Sequence, residues 1–399
     1  MKVNLALVNN QQNLTRINLP LLLLFMLSLV PIVVEGVSIN YIFVLVAALL
    51  IYKRKVITIP KINISIGILS FLIIFLISLL YHHEYVTFFW RRFGSFLIFM
   101  SIFSFCFIKI NDEMIMSFKV ALILTSAMYS LISIFAFFDV QLSGHSFEIK
   151  NTVGGNRYGF VLLAAFWVLL VDFTKLNMNK ILKVLVFILI ILGVALTFSR
   201  SAIVALFVSG SLYFLHYVLS IRRIYFPKSL ILWISLLIVT AFLLLKFAPV
   251  TTEYYISTLL NPFFNNSLYE SIFISHSSEG IRLVRLNEVL NYVILNPITG
   301  SGYLGIWSFS ETGSGSTHGQ FSDVLLRVGF FGFFVYLYLI TIMTNFFWKQ
   351  EKSFFWAIIV ILIYGLFHES FKEPQGAFIF AILLGIYSHY SKKNKFHHA

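Results

Sequence analysis

The sequence predicts an all-α polytopic membrane protein. Three observations carry that prediction. Of the 399 residues, 59 % are hydrophobic and only 11 % are charged, and the mean hydropathy is +0.91. An ordinary soluble domain carries roughly 25 % charged residues, and a large soluble fold needs them on its exterior. A soluble enzyme, a disordered chain and a disulfide scaffold are therefore excluded. The one cysteine, Cys106, lies in an apolar run and can form neither an internal disulfide nor a thiolate cluster.

A membrane-crossing helix needs about 20 mostly apolar residues. Twelve stretches qualify, at roughly 18–34, 37–52, 63–81, 93–110, 115–138, 158–173, 181–198, 201–221, 229–248, 324–347, 354–369 and 376–391. The first lacks the charge pattern and cleavage site of a removed signal and reads as a signal anchor. Pro20 and Pro31 stand near its ends, where proline is tolerated.

Basic residues orient the chain. Lys53, Arg54 and Lys55 follow span 2, and Lys109 and Lys119 flank the turn after span 4. Lys175, Lys180 and Lys183 follow span 6, and Arg222, Arg223 and Lys228 follow span 8. Lys349 and Lys352 follow span 10, and Lys392, Lys393 and Lys395 close the chain. All these loops share one parity. The excess of Lys and Arg on cytoplasmic loops puts both termini in the cytoplasm. The net charge of +13 is thereby explained without a nucleic-acid partner. One long outward loop, about 249–322, joins spans 9 and 10. Residues 1–399 read as a single integral membrane domain, with that loop capping it and contributing to its site.

The outward side should be poor in basic residues, yet it carries Arg91, Arg92, Arg157, Arg200, Arg282 and Arg285. Arginine stays charged and offers a planar fork of donors that fits phosphate and carboxylate. The set points to an anionic ligand, while each arginine alone also fits interfacial snorkelling. Arg200 lies in Thr197-Phe198-Ser199-Arg200-Ser201, between two very apolar spans. Arginine at membrane depth costs about 2.5–3.5 kcal/mol. It also begins a helix, whose N-terminus attracts anions, and Ser199 or Ser201 can cap that helix.

Arg282 and Arg285 lie on a helical stretch whose apolar residues recur at 283, 286, 290, 293 and 294. Arg285 is spaced to pair with Glu288, whereas Arg282 has no such partner nearby in sequence. Pro297, Gly300 and Gly302 then end the helix in a turn. His318 follows a Gly/Ser stretch at the mouth of span 10. A neutral imidazole there is a natural general base. Asp323 and Arg327, at i and i+4, are expected to pair with each other.

Arg157 lies in Gly154-Gly155-Asn156-Arg157-Tyr158-Gly159 and fits an anion site or an interfacial cap equally. Arg91 and Arg92 follow Phe88-Phe89-Trp90, an interfacial aromatic anchor with basic neighbours. With Arg157 and Arg285 they are candidate substrate-binding residues. Adjacent His82 and His83, beside Glu84, point apart on a helix, so no metal site is expected there. His368, Glu369, Lys372 and Glu373 make a polar patch at the outer end of span 11 that could contact sugar or be solvated. No Walker or dinucleotide glycine motif is present, and no Asp-x-Asp pair that would hold a nucleotide sugar's metal.

Taken together, these segments resemble the O-antigen ligase / O-antigen polymerase superfamily of bacterial membrane glycosyltransferases. Thr197-Phe198-Ser199-Arg200-Ser201 is similar to that family's T-x-S-R-[GS] element. Arg282 followed by Pro297, Gly300 and Gly302 resembles its R-x-x-x-W…P-x-x-G-x-G loop. His318 followed by Gly329 and Gly332 resembles H-N-x-x-L…G-x-x-G. The chain departs from the pattern at Leu286, where the family often has Trp or Tyr, and at Gly319, where it has Asn.

The resemblance implies a donor glycan on undecaprenyl diphosphate, no cofactor and no metal. The acceptor would be another lipid-linked repeat unit or lipid A–core. It implies an active site on the periplasmic face of the inner membrane and leaves room for a polysaccharide co-polymerase as partner. Arg200 and Arg282 would hold the diphosphate, and His318 would orient or deprotonate the acceptor hydroxyl. The pattern His318-x-Gln320-x-x-Asp323-x-Leu325 inclines the reading toward polymerase. A flippase or transporter of lipid-linked oligosaccharide is a competing class. It would call for repeat symmetry and arginines deep in a cavity, and neither is seen in the sequence.

Overall fold

The computed structural model describes residues 19–30, 33–34, 37–38, 62–81, 110–143, 155–176, 179–197, 199–220, 278–308, 317–370 and 373–393. Among them are helices α1 (Leu19–Leu29), α2 (Ile62–Tyr81), α3 (Asp112–Ser143), α4 (Gly155–Val171), α5 (Lys180–Leu196) and α6 (Arg200–Ser220). Then come α7 (Ser278–Leu295), a 3-10 segment (Gly302–Ser308), α8 (Gln320–Gln350), α9 (Lys352–Gly365) and α10 (Pro374–Lys393). Helices thus stand at nine of the twelve predicted spans. The stretches at 37–52, 93–110 and 229–248 lie outside the described helices. Three described helices are long and apolar enough to cross a membrane: Asp112–Phe135, Ser201–Leu219 and Gln320–Gln350.

Two expectations about span limits are corrected. The first helix stops at Leu29, and Val33–Val34 pairs antiparallel with Val37–Ser38. Pro31, with no N–H to donate, stands where the helix ends. The eleventh ends at Gly365 rather than 369, which leaves His368 and Glu369 in the turn beyond it.

Helix α4 is the centre of the bundle. Residues 158–169 are buried on every side, as a helix that is apolar all round must be. It packs against α9 through Trp167 and Trp356, stacked 5.2 Å apart, and Phe160 and Tyr364, 6.2 Å apart. The Trp167 indole N–H donates to the Ser209 hydroxyl of α6 at 3.0 Å, which satisfies a buried donor. Helices α3 and α5 approach closely because Gly193 has no side chain: a Cβ there would sit 2.0 Å from Ser130 Oγ. The Ser130 and Ser133 hydroxyls donate back to the carbonyls of Ser126 and Tyr129 at 2.8 and 2.9 Å, so neither of these two hydroxyls is left bare. By contrast, α6 exposes Phe207, Leu215 and Leu219. That face is apolar enough for lipid.

One end of the bundle is tied by charge. Lys119 Nζ of α3 lies 2.6 Å from Asp172, just past α4, and 3.0 Å from Glu351, between α8 and α9. Lys175 adds contacts of 3.2 and 3.6 Å to the same two carboxylates. Burial favours the neutral Asp172 acid, but Lys119 and Lys175 prevail and hold its carboxyl below the ordinary carboxylate range. The other end of α9, about 20 Å away at 1.5 Å per residue, carries the candidate site.

Candidate functional site

Three chain segments meet at the C-terminal end of α9. The first is the α5–α6 corner. Thr197 closes α5, its hydroxyl donating to the Val194 carbonyl at 2.7 Å. Ser199 then caps α6, its hydroxyl accepting from the Ala202 N–H at 3.3 Å. Of the two serines that could cap, Ser199 is the one that does. Its side chain is buried and also hydrogen-bonds the Tyr364 hydroxyl of α9. Arg200 is the first residue of α6, at the positive end of that helix. Its side chain lies outside the described parts of the structure.

The second segment is α7 and the turn after it. Pro297 and Gly300 lock this turn onto α8. Gly329 interrupts α8 with φ +63°, and the interruption exchanges hydrogen bonds with the turn. Phe330 N–H donates to the Pro297 carbonyl at 2.8 Å, and the freed Leu326 carbonyl accepts from the Ser301 N–H at 2.7 Å. A Cβ on Gly300 would fall 2.4 Å from the Leu326 oxygen, and one on Gly329 2.4 Å from the Pro297 oxygen. The glycines of both motifs are therefore one joint, in which two backbones touch. Arg327 completes it, donating to Asp323 at 2.9 Å, the pair expected at i and i+4, and to the Tyr303 carbonyl at 2.9 Å.

This joint sets α7 against α8. Arg285 pairs with Glu288 at 2.8 Å, as its spacing predicts. Arg282 is half-buried and lies within electrostatic reach of Tyr364 and His368. Through the fold it acquires neighbours 82 and 86 positions away in the sequence.

The third segment is His318 and the start of α8. His318 is the single non-glycine residue among those described with positive φ, at +61°. Such a conformation costs about 1–3 kcal/mol and persists only where surrounding contacts impose it. Those contacts are present. The Thr317 N–H and hydroxyl both donate to Glu369 in the turn after α9, the hydroxyl at 2.9 Å. Ser322 Oγ donates to Thr317 Oγ1 at 3.2 Å. Gly319 fits under the same turn: a Cβ would lie 2.9 Å from Ser322 Oγ and 3.3 Å from the Leu366 carbonyl.

The segments converge on Tyr364 and His368, whose rings stack at 4.8 Å. Burial first, then the Arg282 guanidinium and His318, push the His368 imidazole down to about 4. It is therefore neutral at neutral pH. A guanidinium can stabilise a developing anion, and a neutral imidazole can accept a proton from a hydroxyl.

Of the predicted site residues, Arg282 and His318 both lie within electrostatic reach of His368, and Ser199, which caps the helix that begins with Arg200, hydrogen-bonds Tyr364 beside it. Arg157 stands in the first turn of α4 with its side chain outside the described parts, and Arg91, Arg92 and the His82-His83-Glu84 group lie outside the described residues. Among the described residues, no three His, Cys, Asp or Glu side chains are grouped as a metal would need. Sequence reasoning missed Tyr364 and Thr317, which gave no signal, and left His368 and Glu369 as an unassigned patch.

Comparison with the curated proteins gives no match. Residues 185–337, from within α5 to the middle of α8, match the family model described as O-antigen ligase. The match takes in Arg200, Arg282 and His318 and ends before Tyr364, His368 and Glu369. It supports a glycosyltransferase-like membrane enzyme with O-antigen polymerase or ligase activity. Over that segment, less than half of its length, the chain is similar to the O-antigen ligase family, which supports a place in the O-antigen polymerase/ligase superfamily.

Proposed function

We propose that this protein is an O-antigen (surface polysaccharide) polymerase of the inner membrane, with about twelve spans and its site facing the periplasm. It transfers a glycan from undecaprenyl diphosphate to the acceptor sugar of another lipid-linked repeat unit. The observation that carries this reading is the convergence of Arg282, His318 and the α6 N-terminus at one end of α9. Arg282 and Arg200 hold the diphosphate, with Arg157, Arg285, Arg91 and Arg92 contributing to the basic approach. The charge alternation of the loops supports the periplasmic side.

The acceptor hydroxyl oxygen attacks the anomeric carbon as the bond from that carbon to the diphosphate oxygen breaks. His318 takes the hydroxyl proton. Undecaprenyl diphosphate leaves as an anion, stabilised by the two arginines and by the free N–H groups at the start of α6. The configuration at the anomeric carbon inverts. Metal and nucleotide have no part in these steps.

The family description is equally compatible with a second reading, ligation, for which the acceptor would be lipid A–core. A surface-glycan gel from a strain lacking the gene separates the two. Polymerase predicts lipid A–core capped with a single repeat and no ladder. Ligase predicts bare lipid A–core and long chains stranded on undecaprenyl diphosphate.

A further inference from the structure

We propose that Glu369 is a positioning residue that aims His318 by gripping Thr317, so that the working site extends past the family segment into the turn between α9 and α10. The inference rests on the reading of His318 as the proton acceptor.

Glu369 touches Thr317 twice. One carboxylate oxygen, Oε1, accepts from both the backbone N–H and the hydroxyl of Thr317, 52 residues away in sequence. Thr317 is 3 % exposed, so water does not compete for these bonds. The Thr317 hydroxyl also lies 3.0 Å from the Gly319 carbonyl, spanning His318, and Ser322 Oγ closes on it at 3.2 Å. The backbone is thereby held one residue to either side of His318, at the Thr317 N–H and at the Gly319 carbonyl, which also accepts from Ser322 Oγ at 3.0 Å. That clamp is what the +61° backbone of His318 requires. A left-handed residue projects its side chain in a direction that a residue with negative φ cannot reach. Released from Glu369, His318 can relax to negative φ and turn its ring away from Arg282 and His368. Glu369 suits the role because one carboxylate oxygen has two lone-pair positions and can accept both Thr317 hydrogen bonds at once.

A carboxylate that only braced the α8–α9 corner would affect stability and turnover together. A positioning carboxylate acts on turnover while donor binding stays. The full-length protein is assayed in micelles with the lipid-linked repeat unit extracted from the gene-deleted host, and donor-site binding is measured with undecaprenyl diphosphate. Glu369→Ala is expected to lower kcat about 100-fold, the scale of an ångström-level misplacement, with KM and undecaprenyl diphosphate affinity little changed. Glu369→Gln keeps an oxygen acceptor and is expected to recover most of that loss. Thr317→Ser should match wild type and Thr317→Val should fall between. His318→Ala is included so that failures can be told apart. Wild-type kcat in Glu369→Ala, beside an inactive His318→Ala, overturns the positioning role alone. So does a loss in Glu369→Ala that Gln does not rescue and that tracks a collapsed melting temperature. Full turnover by His318→Ala overturns the assignment of His318 and this inference with it.

Discussion

The Leu326 carbonyl of α8 accepts a hydrogen bond from the Ser301 N–H at 2.7 Å, in place of the N–H of Phe330 one helical turn on. Phe330 in turn donates to Pro297 at 2.8 Å. The Gly329 interruption is thus a socket for the turn after α7, and through it α7, which carries Arg282, is held against α8, which begins just after His318.

Closing that socket should break the site. Gly329→Ala forces a Cβ to 2.4 Å from the Pro297 oxygen at a φ of +63°. The strain alone is worth about 1–3 kcal/mol, and the backbone contact adds to it. A lowered melting temperature with loss of transfer is expected. Ser301→Ala, which removes only the 3.1 Å hydroxyl bond to Leu326, should cost about 1 kcal/mol and leave a folded protein. Melting of the purified full-length protein checks both.

The charge cluster at the far end of α9 should matter for stability and not for chemistry. Lys119 and Asp172 are both buried, so removing one strands the other. Breaking such a pair costs about 3–5 kcal/mol, here reduced because Lys175 and Glu351 remain. Lys119→Met is expected to lower the melting temperature clearly, and the double variant Lys119→Met/Asp172→Leu to recover part of the loss. The folded-state pKa of Asp172 is depressed, despite burial, by Lys119 and Lys175. Its contribution is therefore complete above the ordinary value of 3.8 and is lost as pH falls through the lowered folded value. Acid titration of wild type against Asp172→Asn reads this directly.

His368 sets a second, milder pH window. Burial, Arg282 and His318 hold it at about 4 when folded, against 6.5 otherwise. The unfolded chain therefore binds more protons between those values, and stability should decline as pH falls from 6.5 toward 4. The expected outcome is a melting temperature that drops across this window in wild type and drops less in His368→Gln. Equal slopes in the two proteins would contradict it.

Much of this arrangement was legible in the sequence where partners lie within a turn of helix. The Arg285–Glu288 and Asp323–Arg327 pairs follow from spacing of three and four residues. The Ser199 cap follows from residue type at an apolar boundary, and the turn at Pro297 and Gly300 from backbone preference. Contacts that join distant segments left no local mark. Glu369 and Thr317 are a carboxylate and a hydroxyl in two separate polar stretches, and nothing in either stretch names the other. Lys119 read as a basic residue flanking the turn after span 4, and nothing local showed that Asp172 and Glu351 would meet it across the bundle, where it sits buried in α3. Span limits were blurred at α1 and α9, where the apolar run continues past the last helical hydrogen bond and hydropathy does not change.

The central claim is that glycan transfer runs through His318 and Arg282. The most direct test is complementation of a gene-deleted host with wild type, His318→Ala and Arg282→Ala, each shown by immunoblot to reach the membrane at equal level. A surface-glycan ladder from wild type alone is the predicted result. A full ladder from both variants would contradict the account.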